Sequence, residues 1–224
     1  MHRITFIVLF SVYIAVFLNI AYYRQAFALI PLTGLHNILF FLSMPVVAFS
    51  VINIVVTLAS FVWLDRVTVA LFILVAAPAQ VFIQQYGIVP DRSMITHILN
   101  TTPAEIRALL TTRMVLILLL SGGIMAALAF WPRFKRFIPW WKGPVYRGVN
   151  IATSVTLIAL VVILFYKDYA SLFRNNRELV STLNPSNFIV ASLSYYHHRE
   201  QANLPRVKNS EDAHQLPQML NGAR

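Results

Sequence analysis

YGIVPDRSMITHILNTTPAEIRALLTTR, residues Tyr86 to Arg113, is the stretch whose reading decides the fold. It is the longest polar interruption between blocks that are otherwise uncharged, and it gathers Asp91, Arg92, His97, Thr101, Glu105 and Arg107. A helix needs about 20 apolar residues to cross a hydrocarbon core about 30 Å thick. The blocks on both sides come near that length, so the interruption reads as a loop outside a bilayer.

Working outward, the block before it, 67–86, predicts a third span, with Pro78 near its middle and Gln80, Gln84 and Gln85 towards its end. Glutamines there face protein or a wet cavity rather than lipid. Asp65 and Arg66 form a very short connection to a second span over 38–64, which contains Pro45. Ile30-Pro31-Leu32-Thr33-Gly34 reads as a turn. The first span is 4–23, uncharged between Arg3 and Arg24 and closed by Tyr22-Tyr23 at the interface. A signal peptide would carry a shorter apolar core and a small-residue cleavage site, so this segment reads as a retained helix.

Beyond the interruption, 114–131 predicts a fourth span ended by Pro132, and 148–166 a fifth. Between them lie Arg133, Lys135, Arg136, Lys142 and Arg147 with Trp131, Trp140 and Trp141. A loop of positive charge with interfacial tryptophans marks the cytoplasmic side. Alternation then puts the N-terminus inside, and both the Tyr86–Arg113 stretch and the C-terminal tail outside.

Composition agrees. Hydrophobic residues make up 58% and charged residues 12% of the 224, against about 45–50% and about 25% in soluble domains. The net charge of +10 sits mostly beside the spans, which fits lipid headgroups and topology control rather than nucleic acid. With no cysteine, there is neither a disulfide nor a thiolate metal site.

After the fifth span, residues 167–200 predict two short interfacial helices. Tyr169, Leu172, Phe173 and Leu179 recur at helical spacing, and Asn184-Pro185 supplies a cap and a first helical residue. Residues 201–224 read as linker. His197, His198 and His214 lack the fixed third and fourth ligands that a metal site needs. No span contains an acid or base, which argues against a proton relay or an ion path. Asn19 and Asn53 lie within spans as candidates for helix–helix hydrogen bonds.

Within the interruption, Asp91 can cap a short helix, and Thr102-Pro103-Ala104-Glu105 has the form of a capping box. A bent pair of helices follows. His97, Thr101 and Glu105 stand four apart, so a mild bend leaves them on one face, offering an imidazole, a hydroxyl and a carboxylate to a zwitterionic headgroup. The alternative is that Glu105 only closes its capping box and His97 is solvated. Local pattern leaves both open.

Several runs resemble the membrane domain of bacterial lipid A phosphoethanolamine transferases, the group that includes the mobile colistin-resistance enzymes. They are FLSMPVVAFSVINIV (Phe41 to Val55), YGIV and DRSMI (Tyr86 to Ile95), TTPAE (Thr101 to Glu105), FYKDYASLFRNN (Phe165 to Asn176), PSNFIVAS (Pro185 to Ser192) and EDAH (Glu211 to His214). The resemblance covers nearly the whole chain. It implies a bacterial inner-membrane protein with a periplasmic C-terminus. It also implies movement of phosphoethanolamine from phosphatidylethanolamine to lipid A, which weakens polymyxin binding. In that family transfer runs through a threonine beside zinc in a periplasmic domain that follows such a linker. Neither that nucleophile run nor a zinc cluster occurs among the 224 residues, so no cofactor is expected in this chain. A truncated or split product, catalytically incomplete, is the expectation.

The resemblance also implies headgroup contacts from the outer loop. Aligned on Tyr86-Gly87, the family's threonine falls on Thr101 and its glutamate on Glu105. His97 stands where the family has asparagine, and Pro90 is a second departure. The expected architecture is therefore all-α and membrane-integral, with five transmembrane helices and short periplasmic interfacial helices. Its expected role is donor-lipid binding and anchoring. The reading from another class is a non-catalytic adaptor that associates with a full-length transferase.

Overall fold

The computed structural model describes residues 2–60, 64–87, 111–134, 142–185 and 193–194, and among these every regular element is helical. The elements are α1 (Arg3–Phe17), α2 (Ile20–Leu29), α3 (Gly34–Ala59) and α4 (Asp65–Tyr86). Next come α5 (Thr112–Leu118), a π-helical turn (Leu119–Ile124) and α6 (Met125–Leu128), then α7 (Lys142–Asn175) and α8 (Arg177–Ser181). Three of these, α3, α4 and α7, are long and apolar enough to cross a membrane, and α1 with α2 qualifies as a fourth if the bent pair is one span.

The expected fourth span, 114–131, is represented by the shorter apolar run Thr112–Leu128. Its end is local chemistry. The Phe130 and Trp131 amides donate to the carbonyls three residues back, a tightened last turn. Pro132 then has no N–H with which to continue. Within the run, Gly122 lets α4 approach closely, since a Cβ there would stand 3.0 Å from the Ala77 Cβ. The π turn redirects the Ser121 carbonyl, which accepts from the Tyr13 hydroxyl at 2.7 Å.

The segment expected as the first span is not one straight helix. α1 stops at Phe17, and α2 leaves from Asn19 at 50° to it. Tyr22, expected at the interface, is buried, and Tyr23 donates to the Ala15 carbonyl at 2.8 Å. α3 passes through Pro45 and α4 through Pro78 as continuous helices. α7, which contains the expected fifth span, runs on beyond Tyr166 to Asn175, across a kink at Phe165 (φ −126°, ψ 23°). Asp65 and Arg66, read as a connection, are the first residues of α4.

α3 is the central helix, packed along α1 on one side and α7 on the other. It joins two cores. In the first, Phe6 and Ile14 of α1 and the following Leu18 meet Ile52 and Val56 of α3, Ile73 and Ala77 of α4, and Ala126 of α6. The second lies at the opposite end, where Tyr22 and Ala26 of α2 meet Phe40 and Met44 of α3, Phe165 and Tyr169 of α7, and Leu179 of α8. The outer surface stays apolar, with Leu35, Leu58, Leu120, Ile163 and Leu164 all exposed. A helical bundle with an apolar exterior satisfies its backbone internally and presents hydrocarbon to lipid.

Candidate functional site

The stalks of the organising segment are anchored by their own sequence. Gly87 closes α4 in the left-handed conformation (φ +66°), its amide donating to the Ile83 carbonyl at 3.0 Å. Glycine takes that conformation without Cβ strain. Thr111 caps α5, its hydroxyl oxygen accepting from the Met114 amide at 3.3 Å. His97, Thr101 and Glu105 lie between these stalks, outside the described residues, as do Asp91, Arg92, Arg107, His197, His198 and His214.

Beside the stalks is a cavity of about 380 Å³, lined among the described residues by Arg24 of α2, Val81, Gln84 and Gln85 of α4, and Arg113 and Ile117 of α5. The described lining thus combines two arginines and two glutamines with two aliphatic residues. The described lining holds no carboxylate.

The break between α1 and α2 shapes this region. A broken helix leaves backbone groups that lipid cannot satisfy, and amide side chains satisfy them here. Asn19 Nδ2 donates to the Ile14 carbonyl (2.9 Å) and the Asn184 carbonyl (3.0 Å), while its Oδ1 accepts from the Asn184 amide (2.7 Å). Asn184 Nδ2 donates to the Leu18 carbonyl at 3.1 Å. Oriented by its neighbours, Gln80 donates to the same carbonyl at 3.1 Å and accepts from the Ala21 amide at 3.0 Å and from Gln84 Nε2 at 2.8 Å. Asn19 was expected between helices, and Asn184 as the cap of a following helix. The two join the break between α1 and α2 to the segment after α8, while the helix Asn184 was expected to cap lies outside the described residues. Asn184 Oδ1, the atom a cap would use, has no partner among the described residues.

The juxtamembrane turn of α7 closes the same end. His36 Nε2 meets Asp168 Oδ2 at 3.0 Å. Ser43 spends its one proton on the Phe40 carbonyl (2.6 Å), so the Tyr169 hydroxyl donates to Ser43 Oγ (2.9 Å).

The opposite end is charged and paired. Asp65 is 1% exposed, with Arg3 Nη1 at 3.1 Å from one carboxylate oxygen and Arg147 Nη2 at 2.5 Å from the other. Arg66 donates to the Pro132 carbonyl and lies over Phe134, 4.7 Å from the ring centroid. Arg147, the last cation of the basic run, thus takes its counter-charge from the start of α4. Between the ends, Asn53 donates to Asn150 Oδ1 (3.1 Å) and Ser154 Oγ (2.9 Å), and Asn150 donates to Thr57 Oγ1 (2.9 Å). This is the expected helix–helix use of Asn53.

No group of three His, Cys, Asp or Glu that could hold a metal occurs among the described residues. The zinc implied by the resemblance has no ligand set there.

Sequence reasoning missed Arg24 and Arg113 as site residues. Each flanks an apolar block, where an arginine looks like an ordinary interfacial anchor. Their one available signal is that Arg24 follows Asn19 by little more than a turn. A polar residue inside a span marks a place where the helix path can change.

The family description "Phosphoethanolamine transferase EptA/EptB" matches residues 48–200. The chain is 55% identical over 224 residues to "Phosphoethanolamine transferase EptA" of Escherichia coli (strain K12), covering 100% of this chain and 41% of that protein. It is 54% identical over 222 residues to the protein of the same name from Salmonella typhimurium, covering 99% and 41%. Among solved structures, the integral membrane protein lipooligosaccharide phosphoethanolamine transferase A from Neisseria meningitidis matches 90% of this chain and 37% of its own, at 30% identity and a TM-score of 0.85. The chain thus spans about two-fifths of the length of the curated relatives it matches. On a family match covering most of its length, and on a helical structure shared with a membrane-integral relative, the chain belongs to the EptA/EptB phosphoethanolamine transferase family.

Proposed function

We propose that this chain is the donor-lipid-binding and anchoring part of an enzyme that moves phosphoethanolamine from phosphatidylethanolamine to lipid A, the modification that weakens polymyxin binding. The protein resides in the bacterial inner membrane with five crossings, the run Thr112–Leu128 being the fourth. Its N-terminus is cytoplasmic, and its C-terminal part and the Tyr86–Arg113 segment are periplasmic. In this reading Glu105 pairs with the donor's ammonium, Thr101 hydrogen-bonds near its phosphate, and His97 adds a third contact. Zinc and the nucleophile belong to a further domain of the kind the family carries.

The observation that supports the reading is that α4 closes at Gly87 and α5 opens from Thr111, so both stalks of the segment stand at one end of the bundle. That is the end at which α8 and Asn184 pack against the break in the first span. A lipid headgroup held there lies beside the path by which the chain continues.

The test joins this chain to the remaining portion of the Escherichia coli relative, carries Glu105→Ala, and reads phosphoethanolamine on lipid A by mass spectrometry alongside protein level. Losing a hydrogen bond to a charged group costs about 1.5–3 kcal/mol, so transfer should fall by roughly ten- to a hundredfold. Undiminished transfer at normal protein level overturns the role of Glu105. Orientation is tested separately. The chain has no cysteine, so Ser93→Cys gives a single label site that a membrane-impermeant maleimide should reach in spheroplasts. Labelling only after the inner membrane is opened would invert the topology.

A further inference from the structure

Arg24 and Arg113 differ from the paired arginines of the bundle. Arg3 and Arg147 share the Asp65 carboxylate, and Arg66 is bonded to a backbone carbonyl. Arg24 and Arg113 come from different helices, line one cavity, are exposed, and have no acidic partner among the described residues. An anion seated in that volume can meet positive charge from two helices at once. Guanidinium is also the side chain whose fork of donors fits phosphate oxygens in pairs.

The remaining lining narrows the occupant. Gln84 is tethered by its amide nitrogen to Gln80, which is itself fixed to the break between α1 and α2. The polar wall is therefore held to a structural feature of the bundle. Val81 and Ile117 supply an aliphatic floor continuous with helices whose outer faces are apolar, as at exposed Leu116 and Leu120. An ion alone gains nothing from that floor, whereas an amphiphile does.

We propose that Arg24 and Arg113 form a binding site for the phosphate-ester anion of a membrane lipid. This site is independent of the roles given above to Thr101, Glu105 and His97. It requires only negative charge on phosphate and takes no contact from an ammonium group.

The test is native mass spectrometry of the whole chain in a neutral detergent, titrated with dioctanoyl phosphatidic acid. Inorganic phosphate and dioctanoyl glycerol serve as competitors. Saturable binding of the phosphatidic acid is expected. The double variant Arg24→Gln/Arg113→Gln should weaken it by roughly tenfold or more, the loss of at least one charge-assisted contact. Arg174→Gln removes a positive charge from an exposed position of α7 and should leave binding within about twofold, a change worth only ~0.4 kcal/mol. If the double variant melts early, Arg24→Lys/Arg113→Lys replaces it. That pair keeps the charge but not the paired donors, so it should bind more weakly than wild type.

Displacement only at high phosphate concentration identifies a lipid as the source. Equal competition by inorganic phosphate would mark a free-phosphate site and overturn the lipid assignment, and displacement by dioctanoyl glycerol would overturn the role of the anion. Binding undiminished in both double variants, or reduced equally by Arg174→Gln, overturns the site. Phosphatidic acid has no ammonium, so failure here leaves the Glu105 experiment standing, and the reverse also holds.

Discussion

The two ends of the bundle treat polar groups in opposite ways. At one end Asp65, buried at the start of α4, holds Arg3 and Arg147, so positive charge from two distant parts of the chain converges on one carboxylate. At the other end the break is held by neutral amides, Asn19, Gln80 and Asn184, and Arg24 and Arg113 line a cavity. The contrast follows from what each end must do. A clamp that fixes three helix termini gains from charge, because buried opposite charges hold strict geometry. A break that must admit a bend while satisfying its backbone gains from amides, which donate and accept at once. Cations left over at the second end are then available to a ligand.

The comparison breaks most visibly at Asp65. Asp65→Asn keeps the shape and some hydrogen bonding but leaves Arg3 and Arg147 without counter-charge. Removing one partner from a buried ion pair costs about 3–5 kcal/mol. Both arginines keep partial solvent access, with side chains 27% and 17% exposed, so the low end of that range applies. A fall in Tm of roughly 6–12 °C in detergent is expected, with an unchanged helical signal before melting. A variant that melts with the wild type would show that the clamp carries no stability. The two ends would then differ in composition but not in role.

Much of this arrangement is legible in the sequence, because long uncharged blocks and their flanking charges report directly on a bilayer. The membrane character, the turn before Gly34, the close of α4 near Tyr86 and the helix–helix use of Asn53 all follow from local pattern. What escaped depends on residues far apart in the chain. Nothing near Asp65 announces that Arg147 pairs with it, and that pairing turns an apparent connection into a buried helix start. Nothing near Asn19 announces Asn184, 165 positions away. The break in α1–α2 was hidden because Leu18 and Asn19 sit in a span whose mean hydropathy stays high; one asparagine hardly alters an average, yet it can terminate a helix. The candidate headgroup residues were legible as motif, through the capping box and the resemblance, and lie outside the described residues. Arg24 and Arg113 were visible only as flanking charges, since α2, α4 and α5 line one cavity only in the folded bundle.

The smaller expected effect tests whether the amides act as one unit. Asn19→Leu removes two donated bonds and one accepted bond. Interhelical hydrogen bonds in membrane proteins average about 0.6 kcal/mol and reach about 1.7, so a loss of about 2 kcal/mol is expected, less than for Asp65. Asn184→Ala removes its donation to the Leu18 carbonyl but leaves the Asn184 backbone in place. If the pair is a unit, Asn19→Leu/Asn184→Ala should destabilise by clearly less than the sum of the single variants, with a coupling of about 0.5 kcal/mol or more. Strict additivity would mean that Asn184 only fills space beside the break. The segment after α8 would then owe its position to Leu179 and the second core, and the amide end would be held by packing like the rest of the bundle. The difference between the two ends would in that case rest on Asp65 alone.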